Sequence, residues 1–135
     1  MNYISIFAIA ATILVFSSCK KDEASSADDE FYIKYKFEMK TLAGRTENIL
    51  VDYSDEEERN KQTETKGNFE TTIGPVSKGF QASLSAKDKN PLQFEYHLKL
   101  NLKIFVSKNN SPFAEKAVNE SADPRTSASL IYTVK

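Results

Sequence analysis

The sequence predicts an all-β fold, a β-sandwich of about seven to eight antiparallel strands that occupies residues 31–135. Three observations predict it. Several segments alternate apolar and polar residues with a period of two, which is typical of half-buried strands. Clusters of turn-forming residues separate these segments at spacings of about ten residues. No segment after residue 30 has the pattern of an amphipathic helix, and a small barrel is the alternative fold.

Four strand patterns lie in the first half of this domain. Residues 31–40 alternate almost without error, and residues 47–53 repeat the pattern after a turn. Residues 68–73 form a third strand, which we expect to end at the following Gly-Pro pair, and residues 79–86 form a fourth. The inward positions are expected to be Phe31, Ile33, Tyr35, Phe37, Met39, Ile49, Val51, Tyr53, Phe69, Thr71, Ile73, Phe80, Ala82, Leu84 and Ala86.

The segment between the second and third patterns, residues 54–66, contains no apolar residue. We predict a long solvated loop or a charged hairpin tip there. Its acidic run, Asp55 to Glu58, suggests a cation site by composition alone. Calcium loops, however, space their oxygen ligands and use a glycine so that the chain wraps the ion. Four consecutive carboxylates without glycine favour a solvated, mutually repelling face instead.

The second half contains the longest alternating pattern of the chain, residues 94–106. Because strands usually run three to about ten residues, we expect this one to bend, bulge or pass between two sheets. A turn at residues 107–112 joins it to residues 113–118, which predicts a hairpin. Residues 127–134 alternate again, and we expect this last strand to pair deep in a sheet because an unpaired C-terminal strand would fray.

An apolar leader precedes the domain. Residues 4–16 are apolar apart from Ser5 and Thr12, and no charge occurs before Lys20. This stretch has the length of a signal-peptide hydrophobic region, whereas a membrane-spanning helix needs about 20 apolar residues. Two small residues and the only cysteine, Cys19, follow it. We therefore predict that residues 1–18 are a signal peptide.

The seam Phe16-Ser17-Ser18-Cys19 resembles the lipobox of bacterial lipoproteins, and the run SSCKKDE resembles the start of many lipoproteins of the Bacteroidetes group. The resemblance implies cleavage before Cys19 and a diacylglycerol thioether, with fatty acyl chains such as palmitate, on its sulfur. The lipid bilayer would then be a partner through acylated Cys19. The implied location is the outer membrane of the cell envelope, on its periplasmic or cell-surface face. The alternatives for Cys19 are a buried free thiol or half of a disulfide, and the chain has no second cysteine for an intramolecular bridge.

Residues 19–30 are predicted to be the lipidated cysteine and a flexible tether. The stretch KKDEASSADDE is charged and without aromatic residues, so it cannot bury enough apolar surface to offset its ordering entropy. In some Bacteroidetes lipoproteins a Lys/Asp/Glu cluster after the cysteine resembles a signal for export to the outer leaflet. Residues 20–23 fit that pattern, and a solvated linker is the alternative.

The charge balance and the residues able to act as ligands, bases or nucleophiles limit which functions the sequence supports. With 18 Lys and Arg against 19 Asp and Glu, the chain has no basic excess for nucleic acid, so no nucleic-acid partner is predicted. The only histidine, His97, lies on the polar face of the longest strand pattern. A zinc site needs three or four converging ligands, and a general base needs a positioned partner. No nucleophile motif surrounds the serines. We predict no catalytic, cofactor-binding or metal-binding residue, and no enzyme.

The number and spacing of the strands favour a β-sandwich of the immunoglobulin-like kind. The strand segments at residues 79–86, 102–106, 114–117 and 127–132 resemble short Bacteroidetes lipoproteins of unknown function. They are also distantly similar to the extracytoplasmic domain of small mycobacterial membrane proteins that accompany RND-type lipid and siderophore exporters. These positions are structural, so the similarity concerns fold more than activity.

Three roles follow as hypotheses. The first is a non-enzymatic envelope lipoprotein whose sheet face or loops bind another protein. The second, implied only by the distant resemblance, is an accessory factor of an envelope transporter. The third is a surface glycan-binding module, which requires exposed aromatic rings. Tyr32 and Phe105 are the residues that break the polar faces, although a second sheet could cover both.

Overall fold

The computed structural model describes residues 28–41, 47–91 and 98–135. The predicted signal peptide, Cys19 and His97 lie outside the described residues. The strands are β1 (Phe31–Thr41), β2 (Ile49–Ser54), β3 (Asn60–Thr65), β4 (Phe69–Val76), β5 (Gln81–Asp88), β6 (Leu98–Lys108), β7 (Ala114–Asn119) and β8 (Ser127–Thr133). Within the described ranges the chain forms no helix, and so none that could cross a membrane.

The eight strands form two four-stranded antiparallel sheets. The first sheet has the order β4-β1-β6-β7, and the second has the order β3-β2-β5-β8. Among the described strands, only β2–β3 and β6–β7 are consecutive strands of one sheet, and the other consecutive pairs lie in different sheets. The predicted all-β sandwich is confirmed. Immunoglobulin domains place strands A, B, E and D in one sheet and C, F and G in the other. The present strand order differs from that arrangement, so the likeness to these domains is one of architecture.

The core lies between the sheets and is built by the alternating residues of the long central strands. Phe31, Ile33, Tyr35 and Phe37 of β1 are buried, as are Leu98, Leu100, Leu102, Ile104 and Val106 of β6. From the second sheet, Ile49, Val51, Ala82, Leu84 and Ala86 pack against them. Tyr53 bridges Tyr35 and Phe69 with ring centroids 5.6 and 5.5 Å apart, both pairs tilted. Burial raises the pKa of the Tyr35 hydroxyl above its usual value.

Three elements differ from the predictions. The segment predicted as a long loop or hairpin tip contains a whole strand, β3, after a tight turn at residues 55–59. The strand expected to end at the Gly-Pro pair continues to Val76, because β4 is an edge strand and proline needs no partner on its free side. The prediction that the last strand pairs deep in a sheet is wrong, since β8 lies at an edge and pairs, among the described strands, with β5 alone.

One arginine completes the edge of β6 where β7 no longer covers it. The hairpin partner β7 pairs only with residues 102–106 of β6. Beyond that point, the backbone N–H of Arg125 donates to the Leu98 carbonyl at 2.7 Å. The Arg125 side chain donates through Nε to the Leu100 carbonyl at 3.1 Å, and through Nη2 to the same carbonyl. It also donates to Oδ1 and the carbonyl oxygen of Asn119, at 2.8 and 2.9 Å. Arg125 thus ties the β7–β8 loop to β6.

The last residues of the predicted tether are bound to the turn between β6 and β7. The carboxylate of Asp29 lies 2.7 Å from Nζ of Lys108 and accepts a hydrogen bond from the Asn109 side chain at 2.9 Å. The backbone of Glu30 exchanges two hydrogen bonds with Asn109, at 2.8 and 2.9 Å. Asn109 has a φ of 49°, a left-handed conformation that asparagine tolerates better than most residues. These contacts fix the direction in which the chain enters β1.

Candidate binding surface

The structure decides the orientation of the two aromatic residues that break the polar strand faces. Tyr32 and Phe105 both point to the outward face of the first sheet, away from the second sheet. Both are half-buried by neighbours on that face. The second sheet therefore does not cover them.

These two residues form a patch with two others. Lys34 of β1 lies directly opposite Phe105 of β6, and Tyr32, two residues before Lys34, lies on the same face of β1. Nζ of Lys34 lies 4.6 Å from the centroid of the Phe113 ring, within the range of a cation–π contact. Phe113 itself is 37% exposed. We call Tyr32, Lys34, Phe105 and Phe113 the outward aromatic patch.

Gly74 leaves room for one of these rings. The pairing of β1 with β4 shifts register between Phe31 and Ile33, so Tyr32 has no direct partner on β4. A Cβ atom on Gly74 would lie 2.9 Å from Cδ1 of Tyr32 and 2.8 Å from the carbonyl oxygen of Phe31. The φ of Gly74 is 132°, a backbone conformation that residues other than glycine rarely adopt. The Tyr32 ring thus rests against backbone that only glycine can form at this distance.

The other half of the same face carries charges that are paired with one another. Lys36 contacts Glu38 at 2.8 Å, and Lys103 contacts Glu120 at 2.8 Å and Glu115 at 3.6 Å. The hydrogen bond from Lys36 lowers the pKa of the Glu38 carboxyl, and the hydrogen bond to Glu120 raises the pKa of the Lys103 ammonium. Exposed pairs of this kind contribute little to stability. They keep this half of the face near electrical neutrality.

The outward aromatic patch can therefore make two kinds of contact. Aromatic rings present large amphipathic surfaces at a low cost in side-chain entropy, so they can stack on the apolar face of a sugar or on an aromatic side chain. Lys34 adds a cation that can donate hydrogen bonds to hydroxyl, carbonyl or carboxylate oxygens. Its nearest described acid is Glu70, at 3.8 Å on the neighbouring strand β4.

The acidic run at residues 55–58 is a structural turn. Asp55 is only 4% exposed and accepts hydrogen bonds from the backbone N–H groups of Glu57 and Arg59, at 3.0 and 2.9 Å. Nε of Arg59 donates to it at 2.9 Å. Desolvation raises the pKa of the Asp55 carboxyl, but the side-chain and backbone hydrogen bonds from Arg59 and Glu57 outweigh it, and the pKa is lowered.

The carboxylates beside Asp55 are also directed toward protein groups. Glu56 accepts from the backbone N–H of Gly74 at 3.3 Å, and Glu57 contacts Arg59 at 2.7 Å. Across the described ranges, no three His, Cys, Asp or Glu residues are grouped so that they could hold a metal ion. The expectation of a solvated, mutually repelling run is wrong for Asp55, which is buried and hydrogen-bonded, whereas Glu56, Glu57 and Glu58 are exposed.

The outward face of the second sheet is mostly polar, although Ile131 is exposed on it. A groove of about 440 Å³ crosses β5 and β8 there, and Asp52 and Ser85 line it. The Asp52 carboxylate accepts hydrogen bonds from the side-chain amides of Gln62 and Asn60, at 2.8 and 3.3 Å. Asp52 is thus held by neighbouring amides, and Ser85 is 3.5 Å away from it. Among the residues that the structure describes, this face carries no aromatic ring of the kind found on the first sheet.

Sequence reasoning named two members of the patch and missed two. Tyr32 and Phe105 were visible because they interrupt polar positions of alternating strands. Lys34 follows the ordinary polar alternation of β1, and Phe113 lies just before β7, where no alternation assigns it a face. Lys34 and Phe113 could have been assigned to the patch only from the register between neighbouring strands, which the sequence alone does not give.

The chain was also compared with known proteins. It matches no protein-family model and no curated protein. Its function has to be inferred from its own residues and their geometry.

Proposed function

We propose that this protein is a lipid-anchored lipoprotein of the bacterial cell envelope, held in the outer membrane by acylated Cys19, and that its β-sandwich binds another envelope protein. The outward aromatic patch is the observation that carries the binding role. The lipobox-like seam before Cys19 supports the anchor. Two or three acyl chains make a stable anchor, because each buried methylene contributes about 0.8 kcal/mol.

The composition of the patch supports a protein partner. The buried centres of protein interfaces are enriched in aromatic residues and depleted in charge. Tyr32, Phe105 and Phe113 lie on one face, and the ion pairs farther along it would form a polar rim. Such a division into an apolar centre and a polar rim is the usual anatomy of a binding surface.

Site-directed photo-crosslinking in intact cells tests the proposal. We would replace Phe105 of the full chain with p-benzoylphenylalanine, which keeps an aromatic ring at the centre of the patch. Ile131 is the matched control, because it is an exposed apolar residue on the outward face of the second sheet. We expect crosslinked protein species from position 105 that position 131 does not produce. An absence of species at position 105, or the same species at both positions, would contradict the proposed role.

Glycan binding is the second candidate, and the outward orientation of Tyr32 and Phe105 favours it. A sugar ring stacked on either aromatic ring could also accept hydrogen bonds from Lys34. The test is a glycan array probed with the full-length protein in detergent, with Phe105→Ala and Tyr32→Ala as site variants. We expect signals that both variants lose and that Ile131→Ala retains. An array without signal would remove this candidate.

A further inference from the structure

A groove opens between the two sheets at the end of the sandwich where the chain enters β1. Its volume is about 340 Å³, within the range of roughly 300 to 1,000 Å³ that small-ligand sites occupy. Strands β1, β6 and β7 of the first sheet line it on one side, and β8 of the second sheet lines it on the other. Because β7 and β8 are edge strands of different sheets, no backbone ladder closes the gap between them.

The floor of the groove is apolar. Phe31, Val106 and Val134 reach it from the core, and they are only 4%, 7% and 2% exposed. Tyr132 of β8 and Ala114 of β7 form the walls above them. Because the three core side chains are almost wholly buried, a ligand in the groove would contact mainly Tyr132, Ala114 and the exposed Pro112 above them.

The rim of the groove is cationic. Lys108, Lys116 and Lys135 come from three different places in the chain, and all three are exposed. Lys108 also contacts the Asp29 carboxylate at 2.7 Å, so part of its charge is already balanced. This contact and the hydrogen bond from Asn109 lower the pKa of Asp29. Lys116 adds positive charge beyond that pair, and the ammonium group of Lys135 adds a further hydrogen-bond donor.

We infer that this groove binds a single-chain anionic amphiphile, with its hydrocarbon chain along the apolar floor and its carboxylate or phosphate headgroup against the lysines at the rim. The charge of the rim selects an anionic headgroup, since lysine ammonium groups form charge-assisted hydrogen bonds with such oxygens. The floor selects a ligand with an apolar chain over a small polar anion. Binding at the groove does not involve the outward aromatic patch.

The position of the groove fits a ligand that comes from a membrane. The ten residue steps from Cys19 to Asp29 can span at most about 36 Å when fully extended. If Cys19 is anchored as proposed, Asp29, which contacts the rim residue Lys108, stays within this distance of the bilayer surface. Only this location rests on the proposed function.

Photolabelling of the full-length protein in nanodiscs of zwitterionic lipid tests the inference. The probe is dodecanoate with a diazirine on its chain, and mass spectrometry locates the labelled residues. We expect labelling in peptides that contain Phe31, Val106 or Tyr132. Unlabelled dodecanoate and dodecyl phosphate are the two competitors, and the stronger one identifies whether a fatty acid or a lipid phosphate is the natural source. If dodecanol, which has no charge, competes equally well, the inferred preference for an anionic headgroup is wrong.

Two variants with matched controls test the geometry. Ala114→Trp fills the groove from an exposed position on an edge strand, and Ala122→Trp places the same ring on the exposed β7–β8 loop. Lys116→Glu reverses a rim charge, and Lys87→Glu makes the same change on the second sheet. We expect Ala114→Trp to abolish labelling and Lys116→Glu to weaken binding by at least about fivefold, the factor that corresponds to roughly 1 kcal/mol per lysine. Unchanged labelling in Ala114→Trp, or equal losses in the controls, would overturn the inference.

Discussion

Arg125→Ala is the substitution that most directly tests how the β7–β8 loop holds the sandwich together. The Arg125 guanidinium occupies two backbone carbonyl groups, those of Leu100 and Asn119, and the Asn119 side chain. Leu100 is fully buried, so water cannot readily replace the arginine there. Truncation leaves these acceptors without their donor.

The expected magnitude follows from these contacts. A buried acceptor that loses its partner costs about 1 to 3 kcal/mol. Because Asn119 is partly exposed, we expect a total loss of about 3 kcal/mol for both carbonyls. In a domain of about 100 residues, this lowers the melting temperature by roughly 12 to 24 °C. Arg125→Lys should recover only part of the loss, since lysine lacks the planar fork that reaches several acceptors at once.

Thermal and urea unfolding of the full-length protein in detergent, followed by far-ultraviolet circular dichroism, measures this loss. Lys89→Ala is the control, because Lys89 contacts Glu64 at 2.9 Å in an exposed pair. We expect that control to change the free energy of unfolding by less than about 0.5 kcal/mol. If Arg125→Ala costs as little as the control, Arg125 does not brace β6, and this interpretation of the loop is wrong.

Two further predictions concern the edge strand β4 and the turn between β2 and β3. Gly74→Ala should lower the free energy of unfolding by about 1 to 3 kcal/mol, because its Cβ would lie 2.8 Å from the carbonyl oxygen of Phe31. Gly67→Ala, whose Cβ would meet nothing within 4 Å, should be near neutral in the same urea titration. Asp55→Asn should destabilise the protein at neutral pH. Since folding lowers the pKa of Asp55 below its ordinary 3.8, the wild type has this stabilisation in full above that value and loses it as pH falls further. The difference between the two proteins in acid unfolding should therefore shrink below about pH 4; a constant difference would contradict the role assigned to the carboxylate.

The central strands could be predicted from the sequence because each has one fully buried face. In β1 and β6 the apolar residues alternate with polar ones except at Tyr32 and Phe105, and the inward residues are oriented as expected. Strand β3 could not be predicted this way, because its residues NKQTET face solvent on both sides. Its pairing with β2 depends on backbone hydrogen bonds, which leave no hydrophobic period in the sequence.

The candidate sites were less predictable than the strands, because they depend on register and on which strands form the edges. The alternating pattern showed that Tyr32 and Phe105 both lie on the polar faces of their strands. Only the pairing of β1 with β6 brings Lys34 opposite Phe105. The groove is made of the ends of β1, β6, β7 and β8, and β1 lies far from the other three in sequence. It exists because β8 lies at an edge, where the sequence had suggested deep pairing. Long-range contacts of this kind carry no local pattern.

The anchor at Cys19 is the claim on which the location of every proposed site depends. Intact-mass and peptide mass spectrometry of the protein, extracted from the membranes of a bacterium that processes lipoproteins, tests it most directly. We predict a mature chain that begins at Cys19 and carries a diacylglycerol thioether with added acyl chains, and a Cys19→Ala variant without any acyl label whose sandwich still folds. A mature chain that retains residues 1–18, or one with an unmodified Cys19 thiol, would contradict the account.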